Sequence, residues 1–273
     1  MISAPALWLP PSIEEHVRGP VSWKEYQRQR EWACVRKMLD NTDYSIFPFP
    51  FSFPKVSGGN DAYTQVLLHG DTGPAWVDSS YRGRSVTNTG ATLDTTNYKF
   101  GGGSISISPN QYLTITDNIG DLNPGTGDFT IDFWVRYASI SSARTAIAYG
   151  TATTYIFLYA FTDGTNLVLH GSNSGSSWNL INGNTWHAAP SLNTWYHLAL
   201  ERYSGTLYTY VNGIGTNQGS GFSGQSPNPT PTLLYIGRAN AGNYFSGQIE
   251  EFRWSTTSRY KGSNFTPPTQ AYY

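Results

Sequence analysis

The octapeptide Phe129-Thr130-Ile131-Asp132-Phe133-Trp134-Val135-Arg136 constrains the fold more than any other stretch of the chain. Its apolar Phe129, Ile131, Phe133 and Val135 recur at every second residue, a period that suits a strand with one buried face. Shorter runs of the same kind are Tyr196–Leu200, Leu207–Val211, Leu233–Ile236 and Ile249–Trp254. Turn-forming pairs lie between the runs, among them Gly102-Gly103, Asp163-Gly164, Asn182-Gly183 and Asn212-Gly213. Many short strands with no helical pattern between them predict an all-β fold, a two-sheet antiparallel jelly-roll sandwich. The glycines follow no fixed period, which disfavours a solenoid or propeller.

Charge divides the chain in two. Residues 1–60 hold 13 charged residues, whereas the 213 that follow hold only 22. In the first part, Ser22-Trp23-Lys24-Glu25 has the form of a capping box, predicting a helix over about 23–40. Its apolar Tyr26, Trp32, Val35, Met38 and Leu39 are too few to stabilise one helix in isolation. Pro5, Pro10, Pro11 and Pro20 precede it, and Phe47-Pro48-Phe49-Pro50-Phe51-Ser52-Phe53-Pro54 follows. Proline makes both flanks extended. Phe47, Phe49, Phe51 and Phe53 then read as a contact surface, either for a partner or for the protein's own sandwich. The expected organisation is an anchoring arm over 1–60 and a β domain over 61–273.

Composition excludes several functions. With 17 Lys+Arg against 18 Asp+Glu, a net charge of −1 and no basic run, nucleic acid is not an expected partner. The single cysteine, Cys34, excludes an intrachain disulfide and any zinc site built on paired cysteines. No stretch approaches the roughly 18 apolar residues of a membrane span. Met1–Pro11 does not read as a signal peptide, so the expectation is synthesis in a cytoplasm without export. No Gly-x-Ser-x-Gly, P-loop or His-Glu-x-x-His motif occurs. The β part has only Glu201, Glu250 and Glu251 as glutamates, and strand alternation sends the adjacent pair to opposite faces. They cannot then form the carboxylate pair of a glycosidase, so no catalytic residue is expected. His69 and His197 read as packed, hydrogen-bonded strand residues. Asp132 with Arg136, and Glu251 with Arg253, share faces of their strands and predict charge pairs between them.

Six segments occur in an order that resembles a known family: Val66–Asp71, Lys99–Ile105, Gly125–Val135, Asn193–Leu200, Tyr210–Gly213 and Phe245–Arg253. Together they resemble the laminin-G-like, concanavalin A-like jelly roll, in the version common in bacteriophage structural proteins. The closing Asn264–Thr269 is similar to that version's ending. The resemblance implies two curved antiparallel sheets, one of them often a glycan- or protein-binding surface. Glycosidases on this architecture carry Glu-x-Asp-x-x-Glu on one strand, and that spacing is absent here. Relatives often hold calcium through loop oxygens, which makes Asp117, Asp121 and Asp128 candidate ligands, with turn formation as the alternative. For glycan binding, aromatics beside amides stand out in Ser177–His187 and Asn240–Tyr244, giving Trp178, Asn179, Trp186, Asn243 and Tyr244 as candidates. The expectation is a non-catalytic bacteriophage virion protein of a tail, fibre, collar or capsid decoration. It is expected as a homo-oligomer held to other virion proteins by its arm, with host surface polysaccharide as ligand. The alternative is a soluble lectin-like module outside a virion.

Overall fold

The computed structural model describes residues 59–272, apart from 142–143, 152–153 and 240–242. The chain separates into two units, Met1–Lys55 and Val56–Tyr273, and everything described belongs to the second. The helix expected over 23–40 and the arm residues Tyr26, Trp32, Val35, Met38, Leu39, Phe47, Phe49, Phe51 and Phe53 lie outside the described residues.

The second unit is built of strands: β1 (Thr64–Leu68), β2 (Val86–Thr89), β3 (Thr92–Asp94), β4 (Ser104–Ile107), β5 (Tyr112–Thr116), β6 (Phe129–Tyr137), β7 (Arg144–Thr151) and β8 (Thr154–Thr162). They continue as β9 (Leu167–Gly171), β10 (Ile181–His187), β11 (Trp195–Tyr203), β12 (Thr206–Val211), β13 (Ile214–Gly219), β14 (Leu233–Ile236) and β15 (Gly247–Ser255). No helix occurs among the described residues. One sheet runs β13-β12-β11-β6-β15-β4-β3, with β1 added beside β15, and the other runs β10-β9-β8-β7-β14-β5-β2. Phe133 of β6, Leu198 and Leu200 of β11 and Phe252 and Trp254 of β15 meet Leu113, Ile115, Ile147, Leu234 and Ile236 of the second sheet in one core. The face predicted from alternation is the buried one, with Phe129, Ile131, Phe133 and Val135 all fully inaccessible.

Two local expectations fail, each at a bulge. Asn182-Gly183 does not separate strands but lies inside β10, where the register shifts between Asn182 and Asn184 and Gly183 takes φ +76°. Glu250 and Glu251 do not point to opposite faces. Glu251 takes φ +52° and the β15–β6 register shifts between Glu250 and Arg253, so that Ile249 and Phe252 both reach the core. The two glutamates between them are left on the outer side of the first sheet.

That outer side is covered by residues 256–272. Arg253 donates from Nε to Asp132 Oδ1 at 2.9 Å and from Nη2 to Oδ2, and the Tyr260 hydroxyl donates to the same Oδ2. The Tyr272 ring lies 4.0 Å from the guanidinium carbon of Arg253. Burial raises the Asp132 carboxyl, but the Arg253 charge and hydrogen bonds outweigh it and hold the group below the ordinary carboxylate range. Glu201 accepts from the hydroxyls of Ser258 and Tyr210, each at 2.8 Å, and from the amides of Tyr260 at 2.6 Å and Gly262 at 3.0 Å. One buried carboxylate thus closes the turn of the covering strap. Phe265 donates its N–H to Gly213 O at 2.9 Å, and Gly213 takes φ +81° in the β12–β13 hairpin. A Cβ built there would come 1.9 Å from Phe265 O, so glycine is required by the crossing chain as well as by the turn.

Phe133 packs edge-on against Trp186, ring centroids 5.9 Å apart, and is fully buried. Phe133→Ala is expected to destabilise the protein by about 3–5 kcal/mol in chemical denaturation. A loss below about 1 kcal/mol would mean that this face is not the core.

His197 is fully inaccessible between Trp134 and Phe265, with ring centroids 5.2 and 5.5 Å away. Burial lowers its imidazole to about 4 from the ordinary 6.5, against the opposing pull of Asp132. The folded state therefore binds fewer protons here than the unfolded state between those values, and its stability falls as pH drops through that window. Relative to a His197→Gln variant, the native chain should lose stability from pH 6.5 down to 4 and run parallel to it above 7. Parallel curves throughout the range would show an imidazole that titrates freely.

Candidate functional site

Among the described residues, the carboxylates on the outer side of the first sheet are held by the protein's own groups. Burial pushes Glu250 up to about 8, with a smaller contribution from the charge of Glu251. Its two oxygens nevertheless accept the N–H groups of Lys99 and Phe100, both at 2.6 Å. Glu251 accepts from Tyr272 N at 2.7 Å and pairs with His69 Nδ1 at 3.0 Å, a bond that raises the imidazole above its ordinary value. Asp132 and Glu201 are taken up by Arg253, Tyr260 and the strap as described. These carboxylates hold backbone and cations in place rather than face an open cleft.

The outer face of the second sheet is built differently. Leu234 and Ile236 of β14 and Leu113 and Ile115 of β5 turn to the core, so Leu233, Tyr235 and Tyr112 turn outward by alternation. Ala148 of β7 and Phe161 of β8 lie in the same outward cluster, and Trp178 packs on it from the loop after β9. The result is a band of aromatic rings reaching from β9 to β5. That is four strand spacings, about 19 Å.

Each end of the band has its own construction. At the β9 end, His170 is stacked on Phe161 at 5.4 Å and 13°, and on its other flank meets Trp178 at 4.7 Å. Burial lowers the His170 imidazole, favouring its neutral form. At the β5 end, Tyr112 stacks on Tyr244 at 6.4 Å and contacts Tyr235 at 6.2 Å. A bridge between Arg238 and Tyr244 brings the Arg238 guanidinium over Tyr112 at 4.6 Å, with Tyr244 and Tyr235 at 5.8 and 5.9 Å. Tyr112, Tyr244, Trp178, His170 and Arg238 are all half-buried. Rings in that state present a face to a ligand while their bodies are fixed by packing.

Of the residues singled out in the sequence, Trp178 and Tyr244 belong to this band, at its opposite ends. Asn243 is half-buried next to Tyr244, and residues 240–242 of the same loop lie outside the described residues. Asn179 is exposed, but its amide is spent inside its own loop, donating to Asn173 Oδ1 at 2.5 Å and accepting from Asn173 N at 3.0 Å. Trp186 is corrected outright. It is 4% exposed, belongs to the core and donates its indole N–H to Tyr210 O at 3.2 Å, so no sugar can stack on it. Sequence reasoning missed Tyr112, Tyr235, His170, Phe161 and Arg238. The available signal was parity, since large aromatics at outward strand positions are unusual on a face meant only for water.

The candidate calcium ligands do not fit an ion. Asp117 accepts from the Tyr149 hydroxyl at 2.6 Å and from Leu122 N at 3.2 Å, and Arg84 Nη1 lies 3.5 Å from its other oxygen. Asp121 pairs with Arg84 and, at 2.8 Å, with Arg82. Asp128 accepts from Ser204 N at 2.9 Å in a separate turn. Arginine cations stand where a calcium ion would need the same oxygens, and no group of three metal-binding side chains occurs among the described residues.

Comparison with known proteins agrees with this architecture. No curated protein sequence matches the chain. Among solved structures, the binding domain of Paraclostridial Mosquitocidal Protein 1 superposes with a TM-score of 0.57 at 14% identity, over 72% of this chain and 49% of that one. The Botulinum neurotoxin serotype G binding domain gives 0.55 at 12% identity, over 71% and 47%. The binding domain of Botulinum neurotoxin DC, in complex with rat synaptotagmin II, gives 0.52 at 13% identity, over 72% and 48%. The chain thus spans about half the length of these neighbours, and such low identity speaks for the fold alone. A family model described as the concanavalin A-like lectin/glucanases superfamily matches residues 107–260, more than half of the sequence. The chain belongs to the concanavalin A-like lectin/glucanases superfamily.

Proposed function

We propose that this protein is a bacteriophage virion component whose jelly roll holds surface glycan of the host without cleaving it. The observation that carries the binding reading is the aromatic band on the second sheet, set against a first sheet that the protein covers with its own strap. Half-buried indole and phenol rings spread over about 19 Å suit an extended saccharide, whose ring faces stack on them. The structural neighbours are themselves named as binding domains, which is in keeping with a binding role for the fold. The virion reading draws on the ordered segments from Val66–Asp71 to Asn264–Thr269 that resemble phage structural proteins, and on the charge-rich residues 1–60. In this reading that arm attaches the chain to other virion proteins.

Two measurements test the two halves. Mass spectrometry of purified particles should find the chain among the structural proteins, and its absence would overturn the virion half. Full-length protein should bind polysaccharide extracted from the host surface. A Tyr112→Ala, Trp178→Ala double variant with an unchanged melting temperature should bind it at least about tenfold more weakly. Undiminished binding by that variant would remove the aromatic band as the site. Binding that depends on the band in a chain absent from particles would identify a soluble lectin-like module instead.

A further inference from the structure

We infer that the ligand is an acidic glycan, and that Arg238 in its tyrosine cradle takes the anionic group, a carboxylate or a sulfate. This inference rests on the glycan reading above and names the chemistry of that site. A guanidinium carries five N–H donors in a planar fork. Here it is half-buried among Tyr112, Tyr235 and Tyr244, and its Nε is buried with no hydrogen-bond partner. Among the described residues no carboxylate forms an ion pair with it, in contrast to Arg253, Arg259, Arg82 and Arg84. Ring faces stabilise the cation but offer no lone pairs for its N–H edge. A buried donor left unmet in a partly desolvated place is costly, so the cradle suits an acceptor that arrives from outside.

The surroundings specify that acceptor further. None of the residues of the aromatic band is acidic. A second cation, Arg144, reaches the same place, with Nη1 3.4 Å from Tyr244 O. A planar fork prefers two-oxygen partners, which carboxylates and sulfates provide. The flanking tyrosines then stack on the sugar that bears the group. One anion within the bound stretch needs only this cradle, whereas a densely charged polyanion would need the broad basic surface that a chain of net charge −1 lacks.

The probe is a printed array in which each neutral oligosaccharide is paired with its carboxylate-bearing and its sulfated counterpart, read with the full-length chain. Acidic members should be retained at least about tenfold more strongly than their neutral partners, the size of one charge-assisted bond. The carboxylate and sulfate columns separate the two sources. Arg238→Gln should abolish the preference, while Lys261→Gln, an exposed cation on the strap, removes the same charge and should change nothing. If Arg238→Gln melts early, Arg238→Lys is read instead. It keeps the charge without the fork and should lose most of the preference. Equal retention of neutral and acidic members, unaffected by Arg238→Gln, would overturn the inference and leave glycan binding standing. Retention of no glycan at all would overturn the glycan reading itself.

Discussion

An ion pair taken out of water costs several kcal/mol per charge unless its remaining donors and acceptors are met. Asp132 and Arg253 sit on neighbouring central strands, 0% and 5% exposed, and the strap supplies what they lack. Tyr260 donates to the carboxylate, Tyr272 lies over the guanidinium, and Glu201 gathers the amides of the turn that carries Tyr260. The pair, the turn and the strap are therefore one cooperative unit. Removing either charge would leave the other buried alone, a loss of about 3–5 kcal/mol in comparable settings. The course of residues 256–272 follows from this demand.

The consequence for function is a division of labour between the sheets. The first covers much of its outer face with residues 256–272, beside a cavity of about 700 Å³ lined by Lys99, Trp134, Trp195 and Pro267 among others, and its carboxylates are committed to arginine, histidine and backbone partners. The second keeps rings at its outward positions in a half-buried state, fixed by packing yet able to meet a ligand. Arg238 adds a cation whose buried Nε has no hydrogen-bond partner among the described residues. In the proposed reading, such a face holds a saccharide by stacking and by one charged contact.

Much of this was legible in the sequence wherever one local rule governs. Alternation in Phe129–Val135 identified the core face, and Asn212-Gly213 identified a hairpin whose φ values of +48° and +81° fit its turn. The same-face charges of β6 and β15 anticipated pairs between these strands, and Arg253 does pair with Asp132, whereas Arg136 donates to Gln248 and Glu251 pairs with His69. The failures occur where alternation is interrupted or where distant chain segments compete. The left-handed Glu251 shifts the strand by one residue, and nothing in a Glu-Glu pair announces a bulge. Trp186 sits in a loop-like, amide-rich stretch, yet bulges in β10 turn it inward against Phe133. Asp117 and Asp121 read as hard ligands until Arg84, more than thirty positions away, is placed beside them. Arg238 showed no signal at all, because its tyrosines come from separate strands and a loop.

Hydrogen–deuterium exchange of the full-length chain, with and without the best-retained oligosaccharide, tests most directly which sheet carries the ligand. Slower exchange should appear in β5, β9, β14 and the segment around Arg238 and Tyr244, while residues 256–272 exchange as before. Protection confined to the strap and β15, with the second sheet unchanged, would contradict the assignment of the binding face.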